Sequence, residues 1–220
     1  MSDPKGIGLT SGLHEYLLAN GSAPDPVQQS LIAATVALGS VAGMQIAPEQ
    51  GAFMTFLTRA LGVRYAVEVG TFTGYSALAI ARGLTPGGRL LCCDVSEQWT
   101  SVGRAHWEQA GVADLIDLRI APAVETLRAL PHTPHIDLAF IDADKVNYAA
   151  YYHEIVERLS PNGVILVDNV LWSGKVIDAS VNDPETVAVR SFNEMVVADE
   201  RVESVMLPIS DGLTLIRRAY

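Results

Sequence analysis

Residues 66–94 read AVEVGTFTGYSALAIARGLTPGGRLLCCD, and they contain the pattern from which the fold class follows. The stretch begins and ends with short apolar runs, AVEV and LLCC, in which apolar and polar residues do not alternate. Such runs predict strands that are buried on both faces. The segment SALAIARGL between them predicts a helix. A strand, a helix and a second strand in this order are typical of an α/β protein with a parallel sheet.

The same alternation continues on the C-terminal side, where LIDLRI, IDLAFID and GVILVDN predict further strands separated by helical segments. After residue 180 the segment DPETVAVRSFNEMVVAD predicts one more helix. The runs RVESVMLPI and LTLIRRAY then flank Ser-Asp-Gly, which predicts an antiparallel hairpin. Residues 10–60 are helical in pattern, including PVQQSLIAATVALGSV. We therefore expect a single domain over residues 1–220, with a helical N-terminal part at 1–60.

Composition excludes several classes of function. The 220 residues carry 15 Lys and Arg against 25 Asp and Glu, a formal net charge of −10. Nucleic acids and anionic membranes are poor expected partners because they bind clustered basic residues. Cys92 and Cys93 are adjacent within an apolar run, which predicts buried, reduced thiols. We find no signal peptide pattern and no apolar run long enough to span a bilayer, so we expect a cytoplasmic protein.

The glycine turn after the first strand, VEVGTFTGYS, does not have the spacing of a dinucleotide or phosphate-binding loop. Gly70 and Gly74 allow a tight turn. No Lys or Arg occurs between residues 66 and 81, and Glu68 precedes the turn. This charge pattern disfavours a pyrophosphate and favours a cationic ligand, while backbone N–H groups at the helix start suit a carboxylate. A ligand with an ammonium or sulfonium and a carboxylate fits best, and a purely structural turn is the alternative.

Asp94 ends the second strand, 24 residues after Gly70. Folds that bind nucleosides place a carboxylate near this position, where it accepts hydrogen bonds from the ribose hydroxyls. The alternative is that Asp94 caps the following helix, a role for which Ser96 competes.

Charged residues also end the fourth and fifth strands, in FIDADKVNY (140–148) and VILVDNV (164–170). Because neighbouring parallel strands end side by side, Asp142, Asp168 and Asn169 are expected to converge. A set of oxygen ligands favours Mg²⁺, Mn²⁺ or Ca²⁺ over zinc. Lys145 lies one helical turn beyond Asp142 and is a candidate general base. The alternative for an aspartate at a strand end is that it only caps a helix, and the alternative for Lys145 is that it only lies at the surface.

Six segments together closely resemble the metal-dependent S-adenosylmethionine O-methyltransferases of the caffeoyl-CoA and catechol type. They are MQIAPEQGAF, VEVGTFTGYSALAIA, CCDVSE, FIDADKVNY, VDNVLWSG and MLPISDGLTLIRR, spanning residue 40 to the C-terminus. The resemblance implies a Rossmann-like, seven-stranded, mostly parallel sheet with helices on both faces and a C-terminal antiparallel hairpin. It also implies that the N-terminal part covers the substrate site, and it favours a homodimer.

The resemblance further implies specific site residues. Asp142, Asp168 and Asn169 would bind the metal, and Lys145, with Asp142, would be catalytic, Lys145 taking the proton of a phenol. The acceptor would be a small catechol-like phenolic molecule. The residues implied to contact S-adenosylmethionine are Met44, Ile46, Glu68, Gly70, Thr71, Ser76, Asp94, Ala123, Asp142 and Asp144.

The acceptor side departs from the plant pattern. Caffeoyl-CoA enzymes of plants read DN-x-LW-N-G after the metal pair, whereas this chain reads DNVLWSG, with Ser173 in place of an asparagine linked to substrate contact. Trp172 is a candidate wall of the substrate site, with core packing as the alternative. We interpret Trp99 and Trp107 as residues that pack helices.

Three other functions fit the sequence less well. A nicotinamide-dependent oxidoreductase would require a G-x-G-x-x-G fingerprint, which is absent, and would leave the acidic strand ends unexplained. A nucleic-acid methyltransferase would require basic grooves and an N-P-P-Y-like strand end, where this chain has IDAD. A non-catalytic module that only binds S-adenosylmethionine would not need Asp142, Asp168, Asn169 and Lys145 together.

Overall fold

The computed structural model describes residues 8–219, so the first seven residues of the predicted N-terminal part, and Tyr220, lie outside it. The described helices are α1 Ser11–Ala19, α2 Pro26–Val36, α3 Pro48–Ala60, α4 Tyr75–Gly83, α5 Glu97–Gln109, α6 Ala123–Arg128, α7 Tyr148–Val156 and α8 Pro184–Ala198. The strands are β1 Tyr65–Val69, β2 Arg89–Asp94, β3 Ile116–Ile120, β4 Ile136–Ile141, β5 Leu159–Asp168, β6 Val202–Leu207 and β7 Leu213–Arg218. Short 3-10 turns span Gly39–Met44, Ala113–Leu115, Lys145–Asn147 and Trp172–Ile177.

The seven strands form one sheet in the order β3-β2-β1-β4-β5-β7-β6. The first five are parallel, and β7 is antiparallel to both β5 and β6. The predicted α/β class, the mostly parallel sheet and the C-terminal hairpin are therefore confirmed. The strand order reverses between β1 and β4, and in open α/β sheets ligands bind beside the carboxyl ends of the strands at such a point.

The core lies on both faces of this sheet, as the uninterrupted apolar runs predict. Alternate residues of one strand point to opposite faces. Val67 and Val69 of β1 join a cluster with Tyr152 of α7, whereas Ala66 joins the other cluster with Leu78 of α4. Cys92 and Cys93 are divided between the two clusters in the same way, and both are free and buried.

Helix α2 is shorter than the apolar pattern suggests. It begins with a capping box, in which the Asp25 side chain accepts from Gln28 N and the Gln28 side chain accepts from Asp25 N. It ends at Val36, and Gly39 has a φ of +79°, a left-handed conformation that does not continue a helix. The 3-10 turn that follows, Gly39–Met44, packs against α2. In residues 8–219 no helix is both long and apolar enough to cross a bilayer.

Candidate active site

A single cavity of about 1060 Å³ lies at the carboxyl ends of the parallel strands. It contains almost every residue that the sequence singled out. The predicted site residues that line it are Met44, Ile46, Gly70, Thr71, Ser76, Asp94, Ala123, Asp142, Asp144, Lys145, Asp168, Asn169, Trp172 and Ser173. Segments from residue 44 to residue 173 therefore meet around one space. The exception is Glu68, which does not line the cavity.

The glycine turn is held by backbone contacts that leave no room for a side chain. Gly70 has a φ of +90°, and a Cβ at this position would lie 2.0 Å from the carbonyl oxygen of Asp142. Its amide donates to Cys93 O at 2.9 Å, while Asp142 N donates to Val69 O at 2.8 Å. Because Gly70 lies between the ends of β1, β2 and β4, the turn brings these three strand ends into close contact at the cavity floor.

Asp94 supports this turn rather than the next helix. Its Oδ2 accepts from Thr71 N at 2.9 Å and from Phe72 N at 2.8 Å, and its Oδ1 accepts from Ser96 N at 2.7 Å. The cap of α5 is Ser96, whose hydroxyl accepts from Trp99 N at 3.2 Å. The capping alternative for Asp94 is therefore not realised. Asp94 lines the cavity as a carboxylate oriented by three N–H donors, and its contact with a ribose stays a prediction.

Glu68 lies in β1 beneath the glycine turn and is fully buried. Neither of its carboxylate oxygens makes a hydrogen bond of ordinary geometry with the described residues. Burial raises its pKa from 4.5 to about 7, and the neighbouring Ser76 and Thr71 hydroxyls offset this only in part. Its predicted contact with the cofactor stays a prediction. Since Ser76 and Thr71 do line the cavity, a cationic group bound there would favour the ionised form of Glu68.

We expect Glu68→Gln to flatten the pH dependence of stability of the ligand-free protein. A carboxyl group whose pKa is raised in the folded state stabilises the fold below its unfolded pKa, and this stability is lost as the pH rises through the folded pKa. The rise from 4.5 to about 7 corresponds to a loss of about 3 kcal/mol between these pH values. Urea denaturation of both proteins from pH 5 to pH 8 measures it. Glu125→Gln, at an exposed position of α6, is the control, and parallel profiles for wild type and Glu68→Gln would contradict the prediction.

The charged residues that end β4 and β5 converge around one ammonium group. Lys145 is only 7% exposed. Its Nζ lies 3.2 Å from Asp142 Oδ1, 2.8 Å from Asn169 Oδ1 and 2.6 Å from the Tyr148 hydroxyl. Asp168 is also buried, and Tyr148 donates to its backbone carbonyl at 3.1 Å. The expected convergence of the three oxygen-bearing side chains with Lys145 is therefore observed, and Lys145 is not a surface lysine.

Burial disfavours the ionised form of both carboxylates in this cluster. Burial raises the pKa of Asp142, against the effect of the nearby Lys145 ammonium. Burial, with the neighbouring Asp142 charge, raises the pKa of Asp168 well above its usual range. Two buried carboxylates and the Asn169 amide oxygen suit a hard divalent cation, which would relieve their repulsion. Across residues 8–219 no three His, Cys, Asp or Glu side chains gather into one potential metal site, so a cation here would also need the amide and ligands from outside the chain.

Asp144 is oriented by two neighbours that the sequence analysis did not single out. The Tyr151 hydroxyl donates to its Oδ1 at 2.5 Å, and the Asn147 side-chain amide donates to its Oδ2. Tyr151 and Asn147 also line the cavity. Both lie within seven residues of Asp144, so the segment after β4 fixes the orientation of its own carboxylate.

Trp172 and Ser173 form a wall of the cavity in an unusual backbone conformation. Their φ angles are +46° and +53°, a region that costs L-residues about 1–2 kcal/mol each. The conformation is held from two sides. Asp211 Oδ1 accepts from Ser173 N at 2.6 Å, and the Arg190 guanidinium of α8 donates to the carbonyls of Lys175, Val176, Asp178 and Val181. The surrounding structure therefore fixes the shape of this wall.

The interpretation of Trp99 as a helix-packing residue is incomplete. Trp99 lines the cavity and contacts Phe72 edge to face, with ring centroids 5.3 Å apart. Its position five residues after the strand end at Asp94 is the signal that places it near the site. Trp107 is buried and its indole N–H donates to Gly74 O at 3.0 Å, so here the packing interpretation agrees with the structure.

The seven-stranded sheet, with its cavity at the reversal of strand order, defines a Rossmann-like α/β fold. More specifically, the chain belongs to the O-methyltransferase family, whose model matches residues 20–219. It is 38% identical over 206 residues to the mouse protein "Catechol O-methyltransferase domain-containing protein 1", covering 92% of this chain and 78% of that protein. It is 33% identical over 225 residues to a caffeoyl-CoA O-methyltransferase of Eucalyptus gunnii, covering 97% and 90%.

Solved structures agree with this assignment. The O-methyltransferase from Bacillus cereus in complex with SAH superimposes with a TM-score of 0.86 at 30% identity, over 94% of this chain and 97% of that one. The predicted fold and family are thereby confirmed.

Proposed function

We propose that the protein transfers the methyl group of S-adenosylmethionine to a phenolic hydroxyl of a small catechol-like acceptor. The observation that carries this proposal is the convergence, in one cavity, of the glycine turn and Asp94 with Asp142, Lys145, Asp168 and Asn169. A protein that only binds S-adenosylmethionine would not need Asp142, Lys145, Asp168 and Asn169 together. In the reaction the S–CH₃ bond of the sulfonium breaks, an O–CH₃ bond forms, and the phenol loses its proton.

The cofactor would occupy the part of the cavity around the ends of β1 and β2. The Bacillus cereus relative binds SAH, which is what remains of S-adenosylmethionine after methyl transfer. Asp94 would accept hydrogen bonds from the ribose hydroxyls, and Ser76 with the glycine turn would contact the methionine end; these residues line the same cavity. Glu68 lies buried below them, and a ligand with an ammonium and a sulfonium would favour its ionised form.

The acceptor would lie in the part of the cavity lined by Lys145, Trp172 and Ser173. A divalent cation such as Mg²⁺ at Asp142, Asp168 and Asn169 would supply Lewis-acid stabilisation of the developing phenolate. Lys145 would accept the phenol proton at Nζ, which lies 3.2 Å from Asp142 Oδ1. Alignment of the two reactants in one cavity can contribute about 7–11 kcal/mol.

Product analysis tests this function directly. The purified protein is incubated with S-adenosylmethionine and a panel of catechols, flavonoids and caffeoyl esters, each with Mg²⁺ and with EDTA, and the products are identified by mass spectrometry. We expect methylation that EDTA abolishes. Methylation that is insensitive to EDTA would remove the metal from the proposal, and no methylation despite cofactor binding would favour a binding module.

We also propose that the protein is a homodimer. Helix α1 has no buried residue, and Leu13, Tyr16 and Leu17 expose apolar surface on it. Light scattering is expected to give about twice the chain mass of 23.6 kDa. A clean monomer would contradict this prediction.

We further propose a cytoplasmic protein that binds neither nucleic acid nor membranes. The net charge of −10 supports this proposal, because polyanions would be repelled. Retention of DNA or of anionic vesicles at physiological salt would contradict it.

A further inference from the structure

Gln50 is a fully buried residue of α3 that contacts Asp168, one of the predicted metal ligands, from the side away from the cavity. Its exposed fraction is zero, and it does not line the cavity. Its Nε2 donates to Asp168 Oδ2 at 2.8 Å, joining residues 118 positions apart in the chain. The orientation of the amide follows from chemistry, because an ionised carboxylate only accepts hydrogen bonds and so must face the NH₂ group.

The other half of the Gln50 amide makes no hydrogen bond. Its Oε1 is buried and has no partner among residues 8–219. A buried acceptor without a donor costs about 1–3 kcal/mol. A leucine or methionine of similar volume would avoid this cost, so packing alone does not explain a glutamine here. The hydrogen bond from Gln50 to Asp168 explains why a glutamine occupies this position.

Asp168 is thereby held at both oxygens. Its Oδ1 accepts from Asn169 N at 2.8 Å, and its Oδ2 accepts from Gln50. Both donors are neutral, so they orient the carboxylate without competing as cations for its charge. Helix α3 is itself held firmly, since a Cβ at Gly51 would lie 2.7 Å from the ring of Tyr75. This close packing fixes the position from which Gln50 reaches the site.

We propose that Gln50 is a positioning residue that orients Asp168 for binding a divalent cation, and that it couples the N-terminal helical part to the site. This inference rests on the proposed function, in which Asp168 is a metal ligand. Residues that orient a metal ligand typically change metal affinity by 10–100-fold when they are replaced.

The test measures Mn²⁺ binding to the full-length protein by electron paramagnetic resonance, alongside SAH binding in the absence of metal by calorimetry. We expect Gln50→Leu to weaken Mn²⁺ binding by about 10–100-fold while the SAH affinity stays within about twofold of wild type. Gln50→Met, unbranched and flexible, is a second variant in case leucine perturbs folding. Thr58→Val is the matched control, since Thr58 is buried on the same helix but donates only to Met54 O of that helix. It should bind Mn²⁺ as wild type does.

Two results would overturn the proposal, and they differ from a failure of the proposed function. If wild type and Gln50→Leu bind Mn²⁺ equally, Gln50 does not position Asp168. If Gln50→Leu loses Mn²⁺ and SAH affinity in parallel, as a merely structural change would, the positioning role is also wrong. If wild type itself binds no Mn²⁺, the metal part of the proposed function fails and this inference falls with it, whereas the methyl transfer can still be tested by product analysis.

Discussion

Asp168→Ala is expected to abolish both turnover and divalent-cation binding. Asp168 is 2% exposed, and burial with the nearby Asp142 charge raises its pKa, so the ionised form of this carboxylate is destabilised. A bound divalent cation would stabilise the ionised form. Lewis-acid stabilisation is worth several kcal/mol, so its loss should lower kcat by about 10³-fold or more. Methylation rates at saturating cofactor, with Mn²⁺ binding measured in parallel, check the prediction.

The control for Asp168→Ala removes a carboxylate elsewhere. Asp117 on β3 is exposed, pairs with Arg119 two residues later and does not line the cavity. Asp117→Ala should therefore keep its turnover. SAH affinity should be retained in Asp168→Ala, because the glycine turn and Asp94 are unchanged. An Asp168→Ala enzyme that methylates at nearly the wild-type rate would remove Asp168 from the mechanism.

Lys145→Ala is expected to lower turnover while affinity for S-adenosylmethionine is retained. General-base catalysis by a positioned side chain typically contributes about 10²–10⁴-fold, and Lys145 is the amine placed beside Asp142 and Asn169. Single-turnover rates and cofactor binding by calorimetry separate the two effects. The loss should appear in the chemical step and leave the cofactor dissociation constant nearly unchanged.

Lys145→Arg distinguishes a base from a mere positive charge. Arginine keeps the charge near the two carboxylates but does not lose its proton in proteins, so it cannot accept one from a phenol. We expect Lys145→Arg to be about as slow as Lys145→Ala. Near-normal turnover in the arginine variant would mean that charge alone is needed, and an equal loss of cofactor binding in Asp168→Ala and Lys145→Ala would contradict the separate roles assigned to them.

Much of the site could be predicted from sequence because its residues follow directly from strand ends. An apolar run followed by Asp142, or by Asp168 and Asn169, marks both the strand and the group at its carboxyl end. Parallel pairing of β4 with β5 then brings those groups together without further information. The glycine turn is predictable for a similar reason. Gly70 has a positive φ and lies against the backbone of Asp142, and a residue with a Cβ does not fit there.

Other features depend on packing between distant segments. Gln50 and Asp168 are far apart in sequence, and they meet only because α3 packs closely against α4. Trp99 lines the cavity and contacts Phe72 of the glycine turn, whereas its helical periodicity alone suggests packing between helices. Arg190 holds the segment that follows the wall by hydrogen bonds to the carbonyls of Lys175 and Val176, for which a sequence carries no side-chain pattern.

The sequence by itself therefore determined the α/β class, the strand ends and the set of oxygen-bearing side chains, because burial and backbone conformation impose local patterns on residue type. Only the tertiary structure decided how these groups face one another. It placed the Lys145 ammonium among the carboxylates, buried Glu68 away from the cavity lining, and joined Gln50 to Asp168. These arrangements depend on distances between segments that pack together only in the folded chain, and no local period in the sequence records them.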